Sequence, residues 1–287
     1  MTDKQKGIAF IIMSAFCFAL MNAFVHLSGD LPTLQKSFFR NFIALIFAGT
    51  VIVTSKEKLH YNKADLPLLV LRSTAGTIGI LGNFYALDRI NIADASMLNK
   101  LSPFFVIIFS YFFLKEKPRF IQVTGVIVAF IGSLFIIKPT LNMSISQLAP
   151  SLAGFAGGMG AGAAYTAVRA LGKRGVKGPL IVFFFSGFSC LVTLPYLIFC
   201  YHTMTLYQTI ILLLAGLAAS GGQFAITAAY TYAPAKEISV FDYTNIIFAA
   251  ILGFFMFNQI PDIYSFIGYI IICGISIAMF LSEKKHA

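Results

Sequence analysis

ADASMLNKLSPFFVIIFSYFFL (residues 93–114) carries Asp94, Asn99 and Lys100 into a run whose last eleven residues hold no charge. The stretch is long enough to cross a hydrocarbon slab of ~30 Å, which takes about 20 helical residues. Composition decides whether it does so. Of 287 residues, 58% are hydrophobic and 11% charged, with a mean hydropathy of +0.84, against about 25% charged in an ordinary soluble domain. Comparable apolar runs recur along the whole chain, so the sequence reads as an all-α polytopic membrane protein with no soluble domain.

Ten spans are expected, at 7–27, 33–54, 66–87, 93–114, 119–138, 148–170, 178–200, 206–232, 237–258 and 262–282. Connections such as KEKPR (115–119) and NQIPD (258–262) are short, which makes neighbouring spans antiparallel hairpins. The first run follows Lys4 and Lys6 but is long and lacks a small-residue cleavage site, so it is read as a retained helix. With the N-terminus inside, 14 of the 21 basic residues fall on the inner side, as the excess of Lys and Arg in cytoplasmic loops requires. Both termini are therefore expected to be cytoplasmic, in a bacterial cytoplasmic (inner) membrane. The formal net charge of +10 is then a topology signal rather than a nucleic-acid footprint.

The chain also repeats itself. The segment ending at Pro118 aligns with the one ending at Pro261, placing Asp94 on Glu237 (237 − 94 = 143), Ser96 on Ser239 and Asn99 on Asp242. The same offset sets Asn22 on Tyr165 and His26 on Arg169. Two halves follow, 1–145 and 146–287, with five spans each. An odd number of spans inserts the second half upside down, giving a 5+5 inverted repeat, the device by which a carrier opens one site alternately to either side.

IADASMLNKLSPFFVIIFSYFFLKEK (92–117), AAYTYAPAKEISVFDYTNIIFAAILGFFMF (228–257) with IPD (260–262), SFFRNF (37–42) and GYIIICGISI (268–277) together resemble the EamA family of the drug/metabolite transporter superfamily. The resemblance implies a basket of ten helices, with spans three, four, eight and nine around a central cavity, and secondary transport of small metabolites, often outward. Expected cargo is a small polar or zwitterionic metabolite, an amino acid or related compound. Import of a vitamin, nucleotide-like cofactor or quaternary amine, and translocation of a lipid headgroup, are the alternatives. This chain has no Trp, so any aromatic platform must come from its 31 Phe and 12 Tyr.

Charges at membrane depth are costly unless paired or wetted, which singles out Asn99 with Lys100 and Asp242 with Tyr243. Three readings of Lys100 and Asp242 stay open: a mutual structural pair, two ends of a site for a zwitterion, or a proton site at Asp242. Further candidate lining residues are Asn22, Asn83, Tyr85, Ser102, Tyr165, Asn245 and the i, i+4, i+7 stripe Gln223, Thr227 and Tyr230, interhelical hydrogen bonding being the competing reading. Asp94 and Glu237, at the starts of spans four and nine, suit helix capping or a coupling or gating role. Arg40 is a candidate gate, whereas Arg72 reads more readily as snorkelling toward headgroups. Pro103 removes the amide that would bond Asn99 and should kink span four. Gly154, Gly158 and Gly162 form a smooth stripe for close helix contact.

Cys17, Cys190, Cys200 and Cys273 have no metal or redox spacing and read as packing residues. No Walker loop, metal motif or hydrolase order is present, so neither cofactor, metal nor catalysis is expected. The partners expected are a small-molecule substrate and the lipid bilayer, with protons as a candidate coupling ion.

Overall fold

The structure, a computed structural model, describes residues 2–55, 62–115, 117–137, 145–232 and 239–285. Most of these residues are helical, with no strand among them. The α-helices are α1 (Asp3–Leu27), α2 (Thr33–Thr54), α3 (Leu66–Leu87), α4 (Ile92–Asn99), α5 (Ser102–Leu114), α6 (Phe120–Ile137), α7 (Ile145–Lys173), α8 (Gly178–Phe199), α9 (Leu206–Tyr232), α10 (Thr244–Phe257) and α11 (Ile263–Lys285). Among the described residues, eight helical stretches are long and apolar enough to cross a membrane, Ile92–Leu114 counting as one, and Phe241–Phe257 is a shorter apolar helix. The 29-residue α7 is long enough but rich in Gly and Ala, hence less apolar. It lies against α3, α4 and α5. The chain is a multi-pass membrane protein.

Local chemistry sets the helix ends. Thr2 and Gln5 form a capping box at the start of α1. Helices α5 and α10 both end on a non-glycine residue in the left-handed region, Lys115 (φ 55°) and Asn258 (φ 53°), so the chain turns away while the last carbonyls stay bonded. Span four was expected as one kinked helix. It is instead two, because Pro103 stands in the first turn of α5 and the helical bonding fails between Lys100 and Ser102. Span nine likewise opens with a 3-10 turn, Ser239–Tyr243, before α10. Cys200 caps the end of α8 and is exposed, rather than packed within a span.

Burial is the reverse of a soluble protein's. Phe112, Phe113, Phe120, Leu191, Phe255 and Ile270 are more than two-thirds exposed, whereas Lys36, Arg40, Arg72, Asp94 and Asn41 are buried. That pattern fits a lipid-facing apolar belt around a polar interior. The most extensive pairings are α1 with α9 and α3 with α7, followed by α2 with α8 and α6 with α11. Lesser ones join α1 to α10, α5 and α4 to α7, α2 to α9 and α3 to α8.

The α3–α7 contact is backbone on backbone. A Cβ at Gly82 would stand 2.5 Å from the Ala153 carbonyl oxygen, one at Gly160 2.7 Å from that of Ala75, and one at Gly157 2.9 Å from the Asn83 nitrogen. The Gly154, Gly158 and Gly162 stripe packs on the other side, against Leu98 and the start of α5. Only small residues permit this approach. It pins α7 between α3 and the broken span, next to the interior cavity.

Candidate functional site

Lys100 caps the C-terminus of α4. Its Nζ lies 2.6 Å from Asp242 Oδ2, their side chains being 10% and 16% exposed. Because Phe104 N–H bonds Leu101 instead, the Lys100 carbonyl needs another donor, and the Tyr243 hydroxyl supplies it at 3.3 Å. Of the readings open for Lys100 and Asp242, the ion pair is the geometry present. Asp242 Oδ1 is buried without a hydrogen-bond partner among the described residues.

A cavity of about 110 Å³ lies beside this joint, room for several waters. Four helices before the chain's midpoint reach it, α1 with Asn22, α2 with Arg40, α3 with Arg72 and Asn83, and α4 with Ser96 and Asn99. Four after it do the same, α7 with Tyr165, α8 with Phe185, α9 with Gln223 and α10 with Asn245. Lys100 completes the polar wall, and Phe18, Met21 and Phe84 supply apolar surface. Part of the wall is already knitted together: Asn83 donates to Asn22 at 3.4 Å, Asn22 to Ser96 at 3.2 Å, and Asn245 to the Ala15 carbonyl at 2.7 Å. Interhelical bonding and cavity lining therefore coexist in the same side chains.

Other candidates lie elsewhere. Tyr85, two residues from Asn83 and so about 200° round the helix, sits beneath Arg89, whose guanidinium carbon is 3.9 Å from its ring centre. Asp94, in the first turn of α4, accepts a 2.7 Å hydrogen bond from the Tyr269 hydroxyl and is buried away from the cavity. His26 bonds the Leu87 carbonyl and packs edge-on to Phe257. Ser102 is buried at the start of α5. Glu237 lies outside the described residues, as do the side chains of Thr227 and Tyr230 and that of Arg169.

Arg72 is the residue that hydropathy misplaces. It does not snorkel; it is 5% exposed and its guanidinium carbon lies 4.1 Å from the centre of the Phe185 ring, with that of Arg40 5.9 Å from the same ring. Arg40 also donates to Asn41 Oδ1 at 2.6 Å, and Asn41 is held by Ser37 and Ser189. A signal for Arg72 is present in the sequence. Arg72, Gly76, Gly79 and Asn83 recur at i, i+4, i+7 and i+11, one helix face, and all four line the cavity.

A protein-family model described as the EamA-like transporter family matches the chain twice, over residues 5–138 and 150–281. The chain belongs to that family. Among relatives, the pseudopaline exporter CntI of Pseudomonas aeruginosa is 30% identical over 283 residues, 98% of each chain. An S-adenosylmethionine uptake transporter of Rickettsia bellii is 24% identical over 91% of this chain and 88% of its own. A crystal structure of a protein 14% identical in sequence shares the fold, with a TM-score of 0.70 over 99% of both chains. This EamA-like protein is thus a relative of metabolite transporters.

Proposed function

We propose that the protein is a secondary transporter that moves a small polar or zwitterionic metabolite, of the amino-acid kind, outward across a bacterial inner membrane. It works by alternating access between two inverted five-span halves, residues 1–145 and 146–287, with both termini cytoplasmic. The observation that carries this reading is the polar cavity at membrane depth lined by four helices from each half. A site shared by two halves opens to one side or the other as the halves rock.

The two halves are supported by the helix pairings. Exchanging first-half helices for their second-half counterparts turns the α1–α9 pairing into α3–α7, α1–α10 into α7 with α4 and α5, and α2–α9 into α3–α8. The left-handed ends of α5 and α10 fall 143 residues apart (258 − 115), the offset read from the sequence. The two family matches end at 138 and 281, also 143 apart, and begin at 5 and 150, within two residues of that offset.

In the cavity, side-chain amides of Asn22, Asn83, Asn99, Gln223 and Asn245 replace the water that a polar cargo leaves behind, which is what makes passage through hydrocarbon affordable. The glycine-lined α3–α7 contact joins helices of opposite halves through backbone alone, with few interlocking side chains to resist small relative movement. Outward direction is supported by the exporter among the relatives, which is more similar than the uptake transporter. Counterflow in proteoliposomes tests the reading. Vesicles loaded with one unlabelled compound from a panel of amino acids, amines, nucleosides and vitamins should take up its labelled counterpart, and Asp242→Asn should abolish that uptake. Absence of exchange for every compound, in vesicles shown to hold folded protein, would sink it.

A further inference from the structure

We propose that Arg40 and Arg72 form a carboxylate-binding site in the central cavity, so that the cargo carries at least one free carboxylate held by guanidinium groups; this rests on the transporter reading above. Two other buried cations of the chain are each paired with a carboxylate. Lys36, fully buried, lies 2.6 Å from Asp88, and Lys100 lies 2.6 Å from Asp242. Among the described residues, neither Arg40 nor Arg72 has a carboxylate within ion-pair distance. Yet they are 6% and 5% exposed, and the Nε of each is enclosed with no hydrogen-bond partner. Both line one cavity.

An unpaired guanidinium at membrane depth is unfavourable, and such residues characteristically mark substrate pathways. Here the two are held in place without being neutralised. Phe185 offers its ring to both, at 4.1 and 5.9 Å, so the guanidinium carbons are no more than 10 Å apart. A ring favours the cation but leaves the N–H edges unsatisfied, and those edges match a carboxylate bidentately. Asn41 occupies one terminal nitrogen of Arg40 and orients it. Gly76 leaves the space for Arg72: a Cβ there would stand 2.9 Å from Phe185 and collide with the Arg72 head group. With Lys100 balanced by Asp242, the wall keeps two positive charges. That favours an anionic group and opposes a quaternary amine lacking one.

The test pairs acids with their neutral carboxamides of near-equal size: L-histidine with L-histidinamide, L-methionine with L-methioninamide, and succinate with succinamide. Each compound is offered to the full chain in proteoliposome counterflow and, at matched ionic strength, in thermal unfolding of the purified protein. At least one acid should exchange and raise the unfolding midpoint, with its amide weaker by tenfold or more. Arg72→Gln and Arg40→Gln should each reduce exchange of that acid at least tenfold, and Arg72→Lys should retain part of it. Gly76→Ala, which displaces the Arg72 head without removing it, should weaken the acid and leave folding intact. An amide that exchanges as well as its acid, or unaltered acid exchange in a folded Arg72→Gln protein, would overturn the carboxylate site while leaving a transporter. Acid-specific stabilisation without exchange of any compound would keep the site and overturn the transporter reading. Neither exchange nor acid-specific stabilisation overturns both.

Discussion

The Tyr243 hydroxyl donates a 3.3 Å hydrogen bond to the carbonyl oxygen of Lys100, and the two residues stand 143 apart (243 − 100), the offset of the proposed repeat. Breaking a helix within a membrane strands backbone groups where no lipid can satisfy them. This chain breaks span four at Lys100 and begins span nine with a 3-10 turn, then uses each irregular piece to serve the other. Tyr243 satisfies the carbonyl, and Asp242 compensates the charge.

Asp242→Asn should therefore do more damage than removing the pair altogether. The single change leaves the Lys100 ammonium nearly buried and uncompensated, which costs about 3–5 kcal/mol, whereas an apolar replacement of both partners is often neutral. Thermal unfolding in detergent of Asp242→Asn, and of the double variant Lys100→Met with Asp242→Leu, checks this. A double variant as unstable as the single one would show that the pair does not set the stability of this joint.

The backbone contact between α3 and α7 makes a second prediction. Gly160→Ala puts a methyl 2.7 Å from the Ala75 carbonyl oxygen and 3.0 Å from the Gly79 nitrogen, atoms that yield only if a helix moves. A loss of about 1–3 kcal/mol is expected from such overpacking. Gly274→Ala, with no atom within 4 Å of the new Cβ, should be neutral or slightly stabilising, since Ala favours a helix more than Gly does. Unfolding midpoints of the two variants, measured together, separate the contact from propensity.

Much of this architecture is legible in the chain itself. Helices α2, α3 and α9 occupy the expected ranges 33–54, 66–87 and 206–232, because polar or Pro-marked junctions interrupt otherwise continuous apolar runs. Seven of the polar residues read at membrane depth line the cavity: Asn22, Asn83, Asn99, Lys100, Tyr165, Gln223 and Asn245. A polar side chain within lipid must turn inward, and hydropathy alone shows that. What hydropathy lacks is azimuth. Tyr85 shares a helix with Asn83 but not a face, and Arg72 looks like a headgroup anchor until its i+4, i+7 and i+11 neighbours are read with it. Phe185 is one of 31 phenylalanines, and nothing in its neighbourhood marks it as the ring beneath two arginines.

Tyr269→Phe tests the link from α11 to α4. The change deletes the donor to Asp94 Oδ1 at 2.7 Å, a buried hydrogen bond to a carboxylate, and such bonds contribute about 1.5–3 kcal/mol. A drop of that size in unfolding free energy, with exchange by the surviving folded protein near normal, would identify the contact as structural. Loss of exchange in a stable variant would instead give Asp94 a part in the transport cycle.

Phe185→Leu separates positioning of the arginines from their charge. Leucine keeps an apolar side chain in place but removes the π face 4.1 Å from Arg72, an interaction of ~1–2 kcal/mol in a desolvated site. Arg72 would keep its charge and lose its orientation. Apparent KM for acid exchange should then rise about three- to tenfold, with maximal rate little changed and the preference for acid over amide preserved, because the cation is still present. A variant that loses the acid preference while KM stays constant would mean that Phe185, rather than the guanidinium groups, selects the cargo.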